Sequence, residues 1–327
     1  MFVVTGATGL LGNVLARTLV ERGGAPVRAL ARPTSDLTSL AGLDVQVVTG
    51  DLADQPSLVR AFSGADVVFH VAGMVSIARG GLAQLLQTNT EGTANVVAAC
   101  RAAEVRRLVY CSSIHAFAVP PGGTCFTEES LVDPARATGA YDRSKAEATL
   151  VVRRAVEEGL DAVTVYPTAL TGPYDYRPSY TGELVIQCAR GRLPAYVDGA
   201  YNFVDVRDVV TGMVAAAATA KPCDGYILAG HNITVRELLQ TIETVTGAPA
   251  PSLRVPIGLL RALTPVIPVY YWVTRQRQLF TPYSLDVLTS GCTMTNEKAE
   301  RELGYRPRPF LETIQDEVRW FRERGML

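Results

Sequence analysis

Three glycines near the N-terminus, each three residues after the last, constrain the fold of this chain most strongly. Gly6, Gly9 and Gly12 follow residues 1–5, a short apolar segment typical of a buried parallel strand. An apolar pattern with helical spacing follows at residues 13–20. Glycines in this position allow a tight turn, close approach of the backbone to a pyrophosphate and close packing of helix on strand. The turn therefore predicts a dinucleotide site at the N-terminus of a helix.

A second motif, Tyr141 and Lys145, lies on a predicted helix at residues 140–158. Residues four apart project from the same helix face, so the phenol and the ammonium group are expected to be neighbours. At roughly 5 Å and an effective dielectric near 20, the ammonium favours phenolate by about 3 kcal/mol, on the order of two pKa units. The pair therefore predicts a tyrosine that transfers a proton near neutral pH.

Taken together, these motifs resemble the extended branch of the short-chain dehydrogenase/reductase superfamily, the NAD(P)-dependent epimerase/dehydratase proteins. Ser113 resembles the serine that follows a strand in that branch, and Asn89 resembles its helix-borne asparagine. The resemblance extends over roughly residues 1–240 and is closest to dihydroflavonol-reductase-like and 3β-hydroxysteroid-dehydrogenase-like members. It implies that Ser113 binds the substrate oxygen, that Tyr141 exchanges its proton during hydride transfer, and that Lys145 also binds the nicotinamide ribose.

Strand and helix patterns alternate along the first half of the chain, which predicts an α/β fold with a doubly wound parallel sheet of the Rossmann type. We expect this unit at residues 1–171, with residues 202–230 returning to it. A smaller, mostly C-terminal substrate-binding lobe is expected at residues 172–201 and 231–327. The predicted elements are strands at 27–31, 45–48, 67–71, 108–112 and 162–166, and helices at 85–102 and 140–158.

Arg32 determines the predicted choice of cofactor. It lies twenty residues after Gly12, where an acidic residue usually binds the ribose 2′-hydroxyl of NAD. An arginine there suits the 2′-phosphate of NADP instead, and Ser35 adds a hydroxyl. NADP(H) is therefore preferred over NAD. Asp51 is assigned to adenine by resemblance, and a second interpretation is that it caps the helix starting near residue 55. The full set of predicted cofactor contacts is Gly6, Thr8, Gly9, Leu10, Leu11, Gly12, Arg32, Ser35, Asp51, Leu52, Val71, Ala72, Gly73, Tyr141, Lys145 and Pro167.

The predicted substrate contacts are His115, Tyr174 and Tyr176. Tyr201 stands where the nucleotide-sugar epimerases that this segment resembles have a phosphate-binding arginine. That difference argues against a nucleotide-diphosphate substrate. Arg190 and Arg192 could still bind such a diphosphate. The other interpretation of these two arginines is that they lie at a solvated helix end.

The apolar segment at residues 255–273 has three interpretations: a helix in the core of the lobe, a lid over an apolar substrate, or a surface that touches lipid. Its arginine and prolines interrupt the roughly 20 apolar residues that a membrane span needs, so no integral span is predicted.

Overall composition excludes several other classes of protein. The net charge is −1 and no long basic run occurs, so nucleic acid is not an expected partner. Six cysteines without a C-x-x-C pair and three histidines without zinc spacing predict no metal site and a reducing, cytoplasmic location. No signal peptide is expected ahead of the first strand. By resemblance, the helices bearing Asn89 and Tyr141 predict a homodimer.

The favoured hypothesis is an NADP(H)-dependent enzyme that reduces a ketone or aldehyde to an alcohol, or catalyses the reverse reaction. Its substrate is expected to be a small, moderately hydrophobic molecule. Two alternatives remain open. One is a nucleotide-sugar epimerase or dehydratase with tightly bound NAD(P), and the other is a non-catalytic NADP-binding regulator.

Overall fold

The computed structural model describes residues 1–76, 81–120, 125–263 and 281–327. The strands in these segments are β1 (Phe2–Thr5), β2 (Val27–Ala31), β3 (Gln46–Thr49), β4 (Val67–His70), β5 (Arg107–Cys111), β6 (Ala162–Pro167), β7 (Ala169–Thr171), β8 (Ala200–Asp205), β9 (Gly225–Leu228) and β10 (His231–Thr234). The α-helices are α1 (Leu10–Arg22), α2 (Gln55–Phe62), α3 (Leu82–Leu85), α4 (Gly92–Ala102), α5 (Ala140–Glu157), α6 (Tyr180–Ala189), α7 (Val206–Thr219), α8 (Val235–Thr246), α9 (Ile257–Leu263), α10 (Pro282–Leu288), α11 (Glu297–Leu303) and α12 (Phe310–Glu323).

The main sheet has seven parallel strands in the order β3-β2-β1-β4-β5-β6-β9. Strands β4, β5 and β6 are buried along their whole length, as expected for a parallel sheet covered on both faces. Helices α1 and α7 pack on one face, and α2, α4 and α5 pack on the other. The predicted doubly wound α/β fold is confirmed. The strand order reverses between β1 and β4, which opens a crevice at their carboxyl ends.

A second, three-stranded sheet lies beside the main one, in the order β10-β8-β7. Its strand β8 pairs with β7 and β10, whereas β9 returns to the main sheet beside β6. Helices α6, α8 and α12 enclose a separate apolar cluster that includes Val185, Leu238, Ile314 and Phe321. This cluster supports a C-terminal lobe, and the exact division of the chain between the two units stays a prediction.

The predicted helix at residues 85–102 differs from the observed one. A π-helical segment, Leu86–Glu91, lies between α3 and α4 and contains Asn89. Such bulges insert an extra residue into a turn, and they are frequent at functional sites. The apolar pattern of the segment did not distinguish this bulge from a continuous α-helix.

Part of the apolar segment at 255–273 forms α9, where the Leu259 side chain is 54% exposed. Residues 264–273 lie outside the described residues, so its three interpretations stay predictions. Among the helices of the described segments, none combines the length and apolarity needed to cross a bilayer.

Small residues on the helices α4 and α5, which would meet in the predicted homodimer, are used within one chain. Ala99, Ala146 and Ala148 are buried against the rest of the same molecule. The predicted homodimer therefore stays a prediction that these alanines do not support.

Candidate active site

A cavity of about 1040 Å³ lies at the carboxyl ends of the main-sheet strands. Ligand sites commonly enclose about 300–1,000 Å³, so this volume suits a dinucleotide together with a substrate. Every predicted cofactor and catalytic residue lines the cavity, and so does His115, whereas Tyr174 and Tyr176 do not. Most of them lie at or just after the carboxyl ends of β1 to β6, which the parallel topology brings to one edge, whereas Tyr141 and Lys145 come from α5.

The glycine turn forms the floor of the cavity between β1 and α1. Gly6 has φ +69°, and a Cβ there would lie 2.7 Å from the backbone of Ala72. A Cβ on Gly12 would lie 2.1 Å from the Gly6 carbonyl oxygen, whereas one on Gly9 would meet only that oxygen at 3.4 Å. The side of the turn at Gly9 is thus open to a ligand.

Helix α1 presents its N-terminus to the same space. Its N-cap residue, Gly9, provides no side-chain cap, and its first turn contains no acidic residue. The first backbone N–H groups of a helix lack partners within the helix, and they carry partial positive charge. Both observations fit a pyrophosphate group bound by the turn.

Arg32 and Ser35 line the cavity directly after β2. The Arg32 side chain is exposed to solvent, and its backbone N–H donates to Ser35 Oγ over 3.1 Å. The hydrogen bond holds the hydroxyl and the start of the arginine side chain in one turn. This is the position from which a guanidinium group can bind a ribose 2′-phosphate.

Asp51 lines the cavity after β3, but it does not cap α2. Asp54 is the N-cap residue, and its Oδ1 accepts a hydrogen bond from Ser57 N over 3.3 Å. Asp51 Oδ1 instead accepts from Ala53 N over 2.9 Å, within the preceding turn. The interpretation of Asp51 as a helix cap is therefore wrong, because the helix begins one turn later than that role requires.

The segment after β4 is held by two side chains from other elements. Thr5 Oγ1 accepts hydrogen bonds from Val71 N and Ala72 N, each over 3.2 Å. Asn89, in the π-helical segment, accepts from Met74 N over 2.7 Å and donates to Met74 O over 2.9 Å. Asn89 thus fixes the cavity wall after β4, a positioning role that the resemblance did not specify.

Tyr141, Lys145 and Ser113 meet where α5 passes the end of β5. Tyr141 and Ser113 are within hydrogen-bonding reach of each other. Lys145 Nζ donates to the carbonyl oxygen of Cys111 over 2.9 Å, which holds the ammonium group inside the cavity. The neighbouring serine, Ser112, has its hydroxyl 2.7 Å from Thr149 Oγ1. Ser113 is therefore the one of the two serines that faces Tyr141.

Burial dominates the pKa of Tyr141. Loss of water around the phenol raises the pKa above 10.0, although the Lys145 ammonium and the Ser113 hydroxyl both act to lower it. The net lowering of the pKa that was predicted from Lys145 alone is therefore not found. Because desolvation penalises the phenolate, Tyr141 holds its proton at neutral pH in this structure.

A hydrogen-bonded cluster around His115 borders Tyr141. The His115 ring centre is 5.7 Å from that of Tyr141, in an edge-on arrangement. His115 Nε2 lies 2.6 Å from Tyr201 Oη, and Nδ1 lies 2.9 Å from Tyr283 Oη and 3.1 Å from Asp142 Oδ1. The Tyr283 hydroxyl also donates to Asp142. This cluster gives the cavity polar groups beyond the Tyr141–Lys145–Ser113 set.

The prediction that Tyr174 and Tyr176 contact substrate is corrected by the structure. The Tyr174 ring lies under the Arg17 guanidinium, 4.9 Å from ring centre to Cζ, and packs in the apolar core. Tyr176 packs edge-on against Trp320, and its hydroxyl accepts from Arg17 and Arg324, each over 3.0 Å. Packing on α1 and α12 therefore turns both rings away from the cavity.

The end of the cavity away from the glycine turn is mostly apolar. The lobe contributes aliphatic and aromatic side chains to it, namely Leu184, Phe203, Val235, Leu238, Val287 and Leu288. Among the described lining residues, the strongly basic side chains are Arg32, Lys145 and Arg177. Arg177 pairs with Asp36 over 3.3 Å, and Arg190 donates to the Met326 carbonyl oxygen over 2.8 Å outside the cavity. This end of the cavity therefore offers aliphatic and aromatic side chains to a bound molecule.

Comparison with known proteins agrees with this geometry. The family model described as "NAD dependent epimerase/dehydratase family" matches residues 2–228. The chain belongs to this family. The match confirms the predicted superfamily.

The sterol demethylase protein B of Methylococcus capsulatus is similar to this chain. It is 36% identical over 329 residues, which cover 99% of each chain. The 2-alkyl-3-oxoalkanoate reductase of Stenotrophomonas maltophilia is 30% identical over 324 residues, covering 95% of this chain and 96% of that one. The crystal structure of gox2253 superposes with a TM-score of 0.88 at 33% identity, covering 100% of this chain and 99% of that chain.

Asp142 and Tyr283 were not predicted from the sequence as residues near the cavity. Tyr201 was singled out only because it stands where related proteins have an arginine. One signal was available for Tyr283, because Thr281 and Ser284 form a capping box with a proline at the first helical position. That pattern predicts the start of a helix but not that the helix faces the cavity. Asp142 directly follows Tyr141, and the sequence did not show that its carboxylate accepts hydrogen bonds from both the Gly139 backbone N–H and the Tyr283 hydroxyl.

Proposed function

We propose that this chain is an NADP(H)-dependent oxidoreductase that reduces a ketone or aldehyde to an alcohol, with Tyr141 as the proton donor. The observation that carries the proposal is the position of Tyr141 beside Ser113 and Lys145 in the cavity that the glycine turn also lines. Membership of a nicotinamide-dependent family and similarity to a reductase make the chain an oxidoreductase in the broad sense.

The reaction needs one group that binds the carbonyl oxygen and one that protonates it. When bound, the reduced nicotinamide supplies the hydride. The Ser113 hydroxyl donates a hydrogen bond to the substrate oxygen and stabilises the negative charge that develops there. Tyr141 gives its proton to the same oxygen as that charge grows. The Lys145 ammonium, fixed by the Cys111 carbonyl, then stabilises the phenolate that Tyr141 becomes.

The state of Tyr141 favours the reductive direction. Burial raises the pKa of its phenol, so the group enters the reaction as an acid. Oxidation of an alcohol would need Tyr141 as a base, and would therefore speed up as the pH rises.

Two features of the cavity support the choice of cofactor and of substrate. Arg32 and Ser35 occupy the turn after β2 that would face an adenosine 2′-phosphate. Tyr201, in place of an arginine, and the apolar lining around Leu238 suit a moderately hydrophobic substrate. A nucleotide-sugar epimerase is the less favoured alternative, because Arg190 binds the C-terminal backbone instead of lining the cavity. A non-catalytic regulator would not need Tyr141, Lys145 and Ser113 together.

The decisive experiment is the Tyr141→Phe variant, assayed by consumption of NADPH with a panel of carbonyl compounds. Removing a general acid is expected to lower kcat by about 10²–10⁴-fold. The affinity for NADPH should stay within about twofold of wild type, because most cofactor contacts are elsewhere.

The matched control is Tyr176→Phe, which removes a tyrosine hydroxyl that is hydrogen-bonded outside the cavity. It should keep the wild-type kcat. If Tyr141→Phe also kept its activity, Tyr141 would not be the proton donor. Turnover of a nucleotide sugar without added cofactor would favour the epimerase.

A further inference from the structure

The cluster of Asp142, His115, Tyr201 and Tyr283 is not needed for proton delivery by Tyr141, yet three of its members line the cavity beside that residue. The side chains come from four separate segments and bond to one another in series. Such a buried polar network is costly unless each member has a partner. The geometry allows its hydrogen atoms to be placed.

The orientation of the His115 ring follows from Asp142. The Asp142 carboxylate only accepts hydrogen bonds, and it already accepts from the Tyr283 hydroxyl. The hydrogen of His115 therefore lies on Nδ1, which faces Asp142 Oδ1 at 3.1 Å and Tyr283 Oη at 2.9 Å. A neutral imidazole ring carries one such hydrogen, so His115 Nε2 is an acceptor, and the Tyr201 hydroxyl donates to it over 2.6 Å.

This arrangement decides what Tyr201 offers to a ligand. Its hydrogen is engaged with His115, so its oxygen presents lone pairs to the cavity. Burial raises the pKa of the Tyr201 phenol, so the group stays uncharged. The Asp142 carboxylate does not line the cavity, but its negative charge acts on the Tyr201 phenol and disfavours an anionic ligand group beside Tyr201.

We propose that Asp142 and His115 orient the Tyr201 hydroxyl as a hydrogen-bond acceptor, which selects substrates that carry a hydroxyl group close to the reacting carbonyl. The substrate class is thus an uncharged hydroxy ketone or hydroxy aldehyde with an apolar remainder. Tyr201 is the specificity-determining residue, and Asp142 and His115 are positioning residues. This inference rests on the proposed reductase function and narrows its substrate.

The test measures kcat/KM for the NADPH-dependent reduction of three aryl ketones of similar size. They are propiophenone, its 2-hydroxy derivative and the corresponding 2-methoxy derivative. The hydroxyl donates a hydrogen bond, and the methoxy group only accepts. Wild type should prefer the hydroxy ketone over the methoxy ketone in kcat/KM. In Tyr201→Phe that preference should fall by about three- to tenfold, which is the value of one neutral hydrogen bond. Tyr176→Phe should leave it unchanged.

Asp142→Asn provides a sharper readout than a loss of activity. Asp142 Oδ2 accepts from the Gly139 backbone N–H over 3.1 Å, so an asparagine would keep its oxygen there and turn its NH₂ group toward His115. The hydrogen of His115 would then move to Nε2, and the Tyr201 hydroxyl would become a donor to the cavity. The variant is therefore expected to lose the preference for the hydroxy ketone, because a hydroxyl and a methoxy oxygen can both accept from Tyr201. Its kcat/KM for the methoxy ketone should rise above the wild-type value, a gain that simple structural damage would not produce.

Binding measurements keep the inference testable without turnover. The dissociation constants of the same three ketones are measured by NADPH fluorescence on holoenzyme carrying Tyr141→Phe, with and without Tyr201→Phe. If no ketone is reduced by wild type but the binding preference follows Tyr201, the reductase function fails, while the assignment of the Tyr201 hydroxyl as a hydrogen-bond acceptor stands. If the ratio of the dissociation constants of the hydroxy and methoxy ketones is the same with and without Tyr201→Phe, the inference is overturned, whatever the enzyme reduces.

Discussion

Removal of the Arg32 side chain tests the assignment of the cofactor. Arg32→Ala deletes the guanidinium group that lies at the end of β2, where the two nicotinamide cofactors differ by a single phosphate. The substitution leaves Ser35 and the backbone hydrogen bond between the two residues in place. The expected effect is therefore confined to the cofactor that carries the 2′-phosphate.

The magnitude follows from the exposure of the side chain. A hydrogen bond to a charged group contributes about 1.5–3 kcal/mol. Arg32 is exposed, so water and salt screen its charge, and the lower end of that range applies. About 1.5 kcal/mol corresponds to roughly tenfold weaker binding of NADPH. NADH has no 2′-phosphate, and its affinity should change by less than about twofold.

The assay is a titration of each cofactor at fixed ionic strength, followed by nicotinamide fluorescence. Arg60→Ala is the matched control, because it removes one exposed arginine from α2 without altering the cavity lining. The NADPH preference of wild type should also shrink as salt is added. Equal losses of NADPH and NADH affinity in Arg32→Ala would refute the 2′-phosphate assignment.

Two further predictions concern the turn and a buried acid. Gly9→Ala should bind NADPH much more weakly at a nearly unchanged melting temperature, whereas Gly12→Ala should lose stability, because its Cβ would lie 2.1 Å from the Gly6 carbonyl oxygen. Equal melting temperatures for the two variants would contradict this. Burial raises the pKa of Glu317 from 4.5 to about 8, so the folded chain keeps a proton that the unfolded chain releases. This group's contribution to the free energy of unfolding is complete below about pH 4.5 and declines as the pH rises to about 8. Glu317→Gln should remove that decline in chemical denaturation across this range, and an unchanged pH dependence would count against a protonated Glu317.

Much of the cofactor site could be predicted because its residues are set by local rules. Gly9, Arg32 and Asp51 each follow a strand, and parallel strands bring their carboxyl ends to one edge. The spacing of Tyr141 and Lys145 fixes their common helix face. For such positions, a short stretch of sequence determines both the element and the side on which the residue lies.

The sequence by itself determined the parallel sheet, the glycine turn and the residues that line the cofactor end of the cavity. The tertiary structure alone decided how His115 meets Tyr201 and Tyr283, which are 86 and 168 residues away along the chain. It also placed the Tyr176 ring against Trp320. Burial in the folded chain raised the pKa of Tyr141, although the charge of Lys145 acts to lower it. Contacts of this kind depend on which distant side chains pack together and how much water they exclude, and the periodicity of a segment carries neither quantity.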